Sequence, residues 1–193
     1  MSCRKFLIAV LVVPALMSGA ISRSAKEEDP EVVEWREGEL LTWDDFTGKP
    51  DAGSSYKALT SAEILFSSAT YKDSAVIEIT CLFIKNASWT KNRNSEKLLR
   101  HEQVHFDIAE LISRKLRREC AYQRPRSSRE ATARFQELYN TYTGKLWDDL
   151  NGQYDKETGH SILTEKQLEW ELKISEDLKQ LDNYASPKVV VVF

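Results

Sequence analysis

Histidine and cysteine are both scarce in this chain, three of each among 193 residues. With Cys3 in a stretch that reads as a removable leader, Cys81 and Cys120 remain, either as one bridge or as two unrelated buried thiols. An excess of positive charge is absent as well. The formal net charge is −3, and loss of Arg4 and Lys5 with the leader makes the chain two charges more acidic, which argues against nucleic acid as a partner. Long apolar runs are missing. The candidate from Phe6 to Met17 is short for a membrane span and carries Pro14. No internal repeat or low-complexity tract appears, and with 41% hydrophobic and 30% charged residues the chain can bury an ordinary core. Between Ser95 and Ala121 there is neither glycine nor proline.

That last absence frames the motif on which the rest turns. His101-Glu102-Gln103-Val104-His105 reads as HExxH on a helix. Residues four apart lie one above the other on a helix, so both imidazoles can reach a single zinc ion. Glu102 lies beside the metal rather than on it, placed to take a proton from an activated water and pass it to a leaving amine. Asn94 or Ser95 can cap the start, and Glu96 sits in the first turn. Arg114, Lys115, Arg117 and Arg118 suit the negative end of the helix dipole. His101, His105, Ile108 and Ile112 form one stripe, so the histidines continue an inward-facing apolar face.

Around this helix the order is strands first, helices after, which predicts an α+β fold: a small antiparallel sheet packed on the HExxH helix, followed by two further helices. Residues 1–20 read as a signal peptide, with Arg4 and Lys5, a short apolar core and Ser18-Gly19-Ala20 for cleavage. Residues 21–34 read as a loose start to the mature chain, 35–184 as a single domain, and 185–193 as an apolar tail able to pair as an edge strand. Glu31 to Trp35, Tyr56 to Thr70 and Ala75 to Lys85 are the strand candidates. In the last, Ile77, Ile79, Cys81 and Phe83 share a face that is expected to pack on the helix. After Pro125 and Ser127-Ser128, a helix is expected over about Arg129 to Leu150, with Phe135, Leu138, Tyr142 and Leu146 inward. The segment Tyr154-Asp155-Lys156-Glu157-Thr158-Gly159-His160 reads as a polar turn. Thr164 with Gln167 reads as the capping box of a last helix to about Asn183, with Leu168, Leu172, Leu178 and Leu181 apolar.

A catalytic zinc needs a third protein ligand and an open position. Asp107 and Glu110 point away from the histidines on the same helix. Glu130 and Glu137 are donors of the kind a later helix would supply. His160 is the expected third ligand, being the other imidazole and standing beside Gly159 in a polar turn; Asp155 or Glu157 are the alternatives. Tyr154 is then the expected oxyanion donor, with Asp155 and Glu157 accepting hydrogen bonds from behind.

In LTWDDFTG, SYKALTSAEI, LLRHEQVHFDIAELISRKLR and the turn YDKETGH with Gln167 and Trp170 following, the sequence resembles the predicted secreted zinc-dependent proteases of bacteria that carry a domain of unknown function. The resemblance covers about residues 35–182. It implies a bacterial exported protein with a zincin-like fold, and it implies that His160 and its turn belong to the site. The expected function is a secreted or periplasmic zinc metallopeptidase acting on a peptide or protein, without nucleic acid and without stable membrane association once the leader is lost. A zinc amidase or esterase of the cell envelope is the nearest alternative. A non-catalytic binding protein with a structural metal is the other, against which Glu102 argues.

Overall fold

Alternating apolar residues build the centre of the fold. Ala75, Ile77, Ile79, Cys81 and Phe83 are all buried on one face of a strand, while Glu78 on the other face is exposed. A computed structural model describes residues 31–193. The expected signal peptide and the first part of the loose N-terminal segment lie outside the described residues. Within them the chain runs β1 (Val32–Glu34), β2 (Ala58–Leu59), β3 (Ala62–Thr70), β4 (Ser74–Ile84), β5 (Trp89–Thr90), α1 (Glu96–Tyr122), α2 (Ser128–Thr141), α3 (Trp147–Thr158), α4 (Thr164–Gln180) and β6 (Lys188–Val192). The fold is α+β with antiparallel sheets, as expected.

Strand β4 carries the main sheet. β3 pairs along nearly all of one edge, from Ala62 opposite Phe83 to Thr70 opposite Ala75. The other edge is shared: β1 takes Leu82 to Ile84, and the C-terminal β6 takes Ser74 to Glu78. The apolar tail is therefore a strand of the main sheet, with Val189 and Val191 turned into the core. Between β1 and β6 the carbonyl of Ile79 is left without a strand partner, and the Arg117 guanidinium fills the gap, donating from Nε at 3.0 Å and from a terminal nitrogen at 2.7 Å.

Helix α1 is sandwiched. Ile112, Leu116 and Cys120 pack with Ile77, Ile79, Val189 and Val191 of the sheet. Val104, Ile108 and Leu111 pack with Tyr154, Trp170, Ile174 and Leu178 of α3 and α4. A helix covered on both sides must find partners for its polar side chains. Gln103 accepts from the Leu41 amide at 2.8 Å. Glu110 sits between Arg114 at 3.0 Å and Arg117 at 2.8 Å. These two arginines are thus buried ion-pair partners rather than solvent-facing complements to the helix end.

Several sequence expectations change here. The strand expected from Tyr56 to Thr70 breaks at Thr60-Ser61, and its first part pairs with β5 instead. The helix expected to stop near Leu150 runs through α2, a wider turn at Tyr142–Leu146 with non-helical Gly144, and then α3 as far as Thr158. Tyr154, Asp155 and Glu157 thus stand on a helix and not in a turn. In α4 the buried face is Gln167, Trp170, Ile174 and Leu178, whereas Leu168 and Leu172 are exposed. Thr164 forms no capping box. Its hydroxyl accepts from Lys97, and the Gln167 side chain turns inward. Cys81 and Cys120 are both free and buried, in separate parts of the core, so no bridge joins them.

Candidate metal centre

Ser95 caps α1, its hydroxyl accepting from the Leu98 amide at 3.2 Å, and the helix then delivers His101 and His105 one turn apart on the side facing α3 and α4. The Nδ1 of His101 lies 3.1 Å from Oε1 of Gln167, and the Nδ1 of His105 lies 2.7 Å from Oδ1 of Asn151. Both amide groups have their orientation fixed from behind. The Gln167 NH2 donates to the Glu171 carboxylate at 3.0 Å, and the Asn151 NH2 donates to the Trp147 carbonyl at 3.1 Å, so each presents its oxygen to the ring. An amide oxygen only accepts. Both imidazoles therefore carry hydrogen on Nδ1 in their neutral form, and their Nε2 lone pairs point the other way.

What they point at is Asp155. Its Oδ1 lies 3.1 Å from Nε2 of His101 and 3.1 Å from Nε2 of His105. Three lone-pair-bearing atoms converge, all within 4.8 Å of one another, an arrangement that is repulsive unless a cation or a proton sits among them. Donors about 2.0–2.1 Å from one tetrahedral ion lie about 3.3 Å apart, so the set fits zinc, and two imidazoles with one carboxylate is a donor set zinc accepts. Electrostatics without an ion agrees. Burial works against charge on both groups, yet hydrogen bonds from His101 and His105 hold the Asp155 carboxyl far below its usual range. Burial likewise opposes the charged His105 imidazole, but contact with Asp155 and the nearby Glu102 charge raise its pKa.

Exposure increases across the centre and shows which way it opens. The His101 side chain is 4% exposed, His105 17%, Asp155 29% and His160 52%. His160 stands on this open rim, its Nδ1 3.4 Å from Asp155 Oδ1 and its ring edge-on to Tyr56 at 5.4 Å. The reason is local. Gly159 ends α3 in the left-handed conformation, and His160 and Ser161 follow it there with φ of 52° and 72°. The His160 amide returns to the Asp155 carbonyl at 2.9 Å, so the chain reverses and swings the imidazole outward. Asp155, rather than the expected His160, is thus the third residue whose ligand atom converges with the two Nε2 atoms, and His160 adjoins the group through Asp155.

The other expected donors are engaged elsewhere. Glu157 accepts from Trp170 Nε1 at 2.8 Å and from Gln153, and Glu130 accepts from the Arg126 amide and from Arg134. Glu137 stands on α2 and is not part of the group of donor atoms that converges with the histidines among the described residues. Tyr154 is fully buried, stacked under the His101 ring at 4.6 Å, with its hydroxyl donating toward Gln167 Oε1 at 2.9 Å and the His101 carbonyl at 3.2 Å. Desolvation raises its pKa far above the usual phenol value. It is a floor beneath the His101 ring, and its hydroxyl faces inward, away from the open rim that the expected oxyanion donor would have to reach.

Glu102 is nearly buried, its Oε2 accepting from the Thr60 hydroxyl at 2.8 Å. Thr60 is available because the strand breaks there. Sequence reasoning missed Thr60 and Asn151. Nothing local marks Thr60, but Asn151 lies four residues before Asp155, and one helix over that stretch would have put both on a single face.

No curated protein and no solved structure matches the chain. Residues 85–161, from the turn after β4 to just past His160 and including His101, Glu102, His105, Asn151 and Asp155 but neither Thr60 nor Gln167, match the model of a family described as bacterial protein of unknown function (DUF922).

Proposed function

We propose that this protein is a zinc-dependent hydrolase, exported from a bacterial cell, that cleaves peptide bonds with Glu102 as the proton-transfer group. The observation that carries the reading is the convergence of His101 Nε2, His105 Nε2 and Asp155 Oδ1 beside a carboxylate that is not itself a ligand. A divalent ion held by this set supplies Lewis acidity toward a carbonyl and makes water a better nucleophile. The chain's own residues do the rest. His101 and His105 offer lone pairs because their other nitrogens are committed, and Asp155 brings the negative charge that offsets the cation. Glu102, held by Thr60, accepts the proton of the attacking water and returns it to the departing amine, a role typically worth about 10²–10⁴-fold. The half-exposed rim at His160 and Tyr56 is where substrate enters.

The test is metal analysis of the purified protein followed by digestion of a peptide library. One zinc per chain is expected, with cleavage abolished by a chelator, restored by zinc, and lowered at least about 10²-fold in Glu102→Gln without loss of metal. A protein that takes up no zinc, or a Glu102→Gln variant as fast as the parent, overturns the reading. Cleavage of simple esters or amides but of no peptide would move the assignment to an amidase or esterase.

A further inference from the structure

Metal-binding imidazoles are commonly backed by a carboxylate or a backbone carbonyl, which fixes the ring and, when charged, raises its basicity. Here both are backed by neutral amides on two different helices, Asn151 on α3 behind His105 and Gln167 on α4 behind His101. Neither amide is free to turn over, since the Trp147 carbonyl and the Glu171 carboxylate hold their NH2 groups. Gln167 is fully buried, and its oxygen also accepts from Tyr154, the ring stacked on His101. Such a costly arrangement of buried polar groups satisfies every member only when His101 is the Nδ1–H tautomer.

Building on the proposed metal site, we infer that Asn151 and Gln167 are its positioning residues: they commit both histidines to the Nδ1–H tautomer and, by being uncharged, leave the bound cation more electron-poor than carboxylate backing would. Two consequences separate this role from mere packing. An apolar replacement of similar size loses the tautomer and weakens metal binding, whereas a carboxylate in the same place strengthens it. A residue that only filled space would not give effects of opposite sign.

The experiment measures zinc affinity by competition with a chromophoric chelator, on the full-length protein and on Asn151→Leu, Gln167→Met and Asn151→Asp, with circular dichroism as the folding control. Asn151→Leu and Gln167→Met are expected to bind about 10–100-fold more weakly, and Asn151→Asp more tightly than the parent. Long-range ¹⁵N–¹H correlation spectra of the zinc-loaded parent report the tautomers directly and decide the matter even where a variant does not fold. Hydrogen on Nε2 of either histidine overturns the inference, as do folded apolar variants that bind zinc like the parent, or weaker binding by folded Asn151→Asp. If the parent itself takes up no zinc, the metal reading falls and this inference with it; loss confined to the variants' expected behaviour leaves the metal reading standing.

Discussion

At His105 and Asp155 the folded chain places a proton acceptor and a carboxylate where an ion fits, so protons and the proposed metal would compete for one position. The third ligand can be assigned by mutation. Asp155→Ala should lose zinc on dialysis against a weak chelator, while His160→Ala, its ring half in solvent and reached through Asp155, should retain it; the reverse result would restore His160 as the ligand. The pH dependence follows from the shifts. In the metal-free protein the raised His105 pKa stabilises the fold fully below the unfolded value of about 6.5, and that stabilisation is lost as pH rises through the folded value. The depressed Asp155 pKa stabilises above about 3.9 and is lost as pH falls through its lower folded value. Metal-free protein should therefore melt at a higher temperature at pH 6 than at pH 8. Zinc-loaded protein should show the opposite order, because ligand protonation displaces the ion. Melting curves at the two pH values, with and without zinc, check both signs.

Among the elements, the turn after β4 depends on one close approach. A Cβ at Gly48 would lie 2.6 Å from the Ser88 carbonyl oxygen and 2.8 Å from that of Asn86, both backbone atoms that cannot swing away. Gly48→Ala should cost about 1–3 kcal/mol in urea unfolding, as overpacking does; an unchanged midpoint would mean that the turn can shift. This contact explains why Trp43-Asp44-Asp45-Phe46 sits where it does, with Asp45 paired to buried Lys85 at 3.2 Å and Phe46 buried against Phe83. Legibility in the sequence differed from element to element for physical reasons. α1 could be read because capping, periodicity and the lack of breakers agree along its whole length. β4 could be read because a half-buried strand alternates. α3 could not: Gly152 and the charged run from Asp155 to Glu157 favour a turn locally. The helix is held there by Tyr154 packed among His101, His105 and Trp170, contacts that no local signal carries. The α4 face was misread for the same reason. Leu168 and Leu172 make a plausible apolar stripe, but burying the face of Trp170 and Ile174 also buries Gln167, which His101 and Tyr154 hold in place.

Across the whole molecule, the C-terminal end of the chain is tied to α1, the helix that carries His101 and His105, through one carboxylate. Glu110 is 3% exposed and accepts from both Arg114 and Arg117. Arg114 also donates to the Leu178 carbonyl at 2.8 Å. Arg117 donates to carbonyls of Ile79 in β4 and of Tyr184, just before β6. These bonds join α1, the end of α4, the approach to β6 and the gap in the main sheet. If Glu110 is neutralised, Arg117 loses its carboxylate partner and Arg114 keeps only the exposed Asp182 at 3.7 Å; an uncompensated buried charge typically costs about 3–5 kcal/mol, far more than the pair contributes relative to apolar packing. Glu110→Gln should therefore destabilise the protein by about that amount in urea unfolding. Glu119→Gln, which removes a partly exposed partner of Arg118, should cost only about 0–1 kcal/mol. Because Glu110 lies on the face of α1 away from the histidines, folded Glu110→Gln should bind zinc as the parent does. A small stability loss would show that this ion cluster does not secure the C-terminal strand, and a large loss of metal affinity in the folded variant would show that it serves the metal centre.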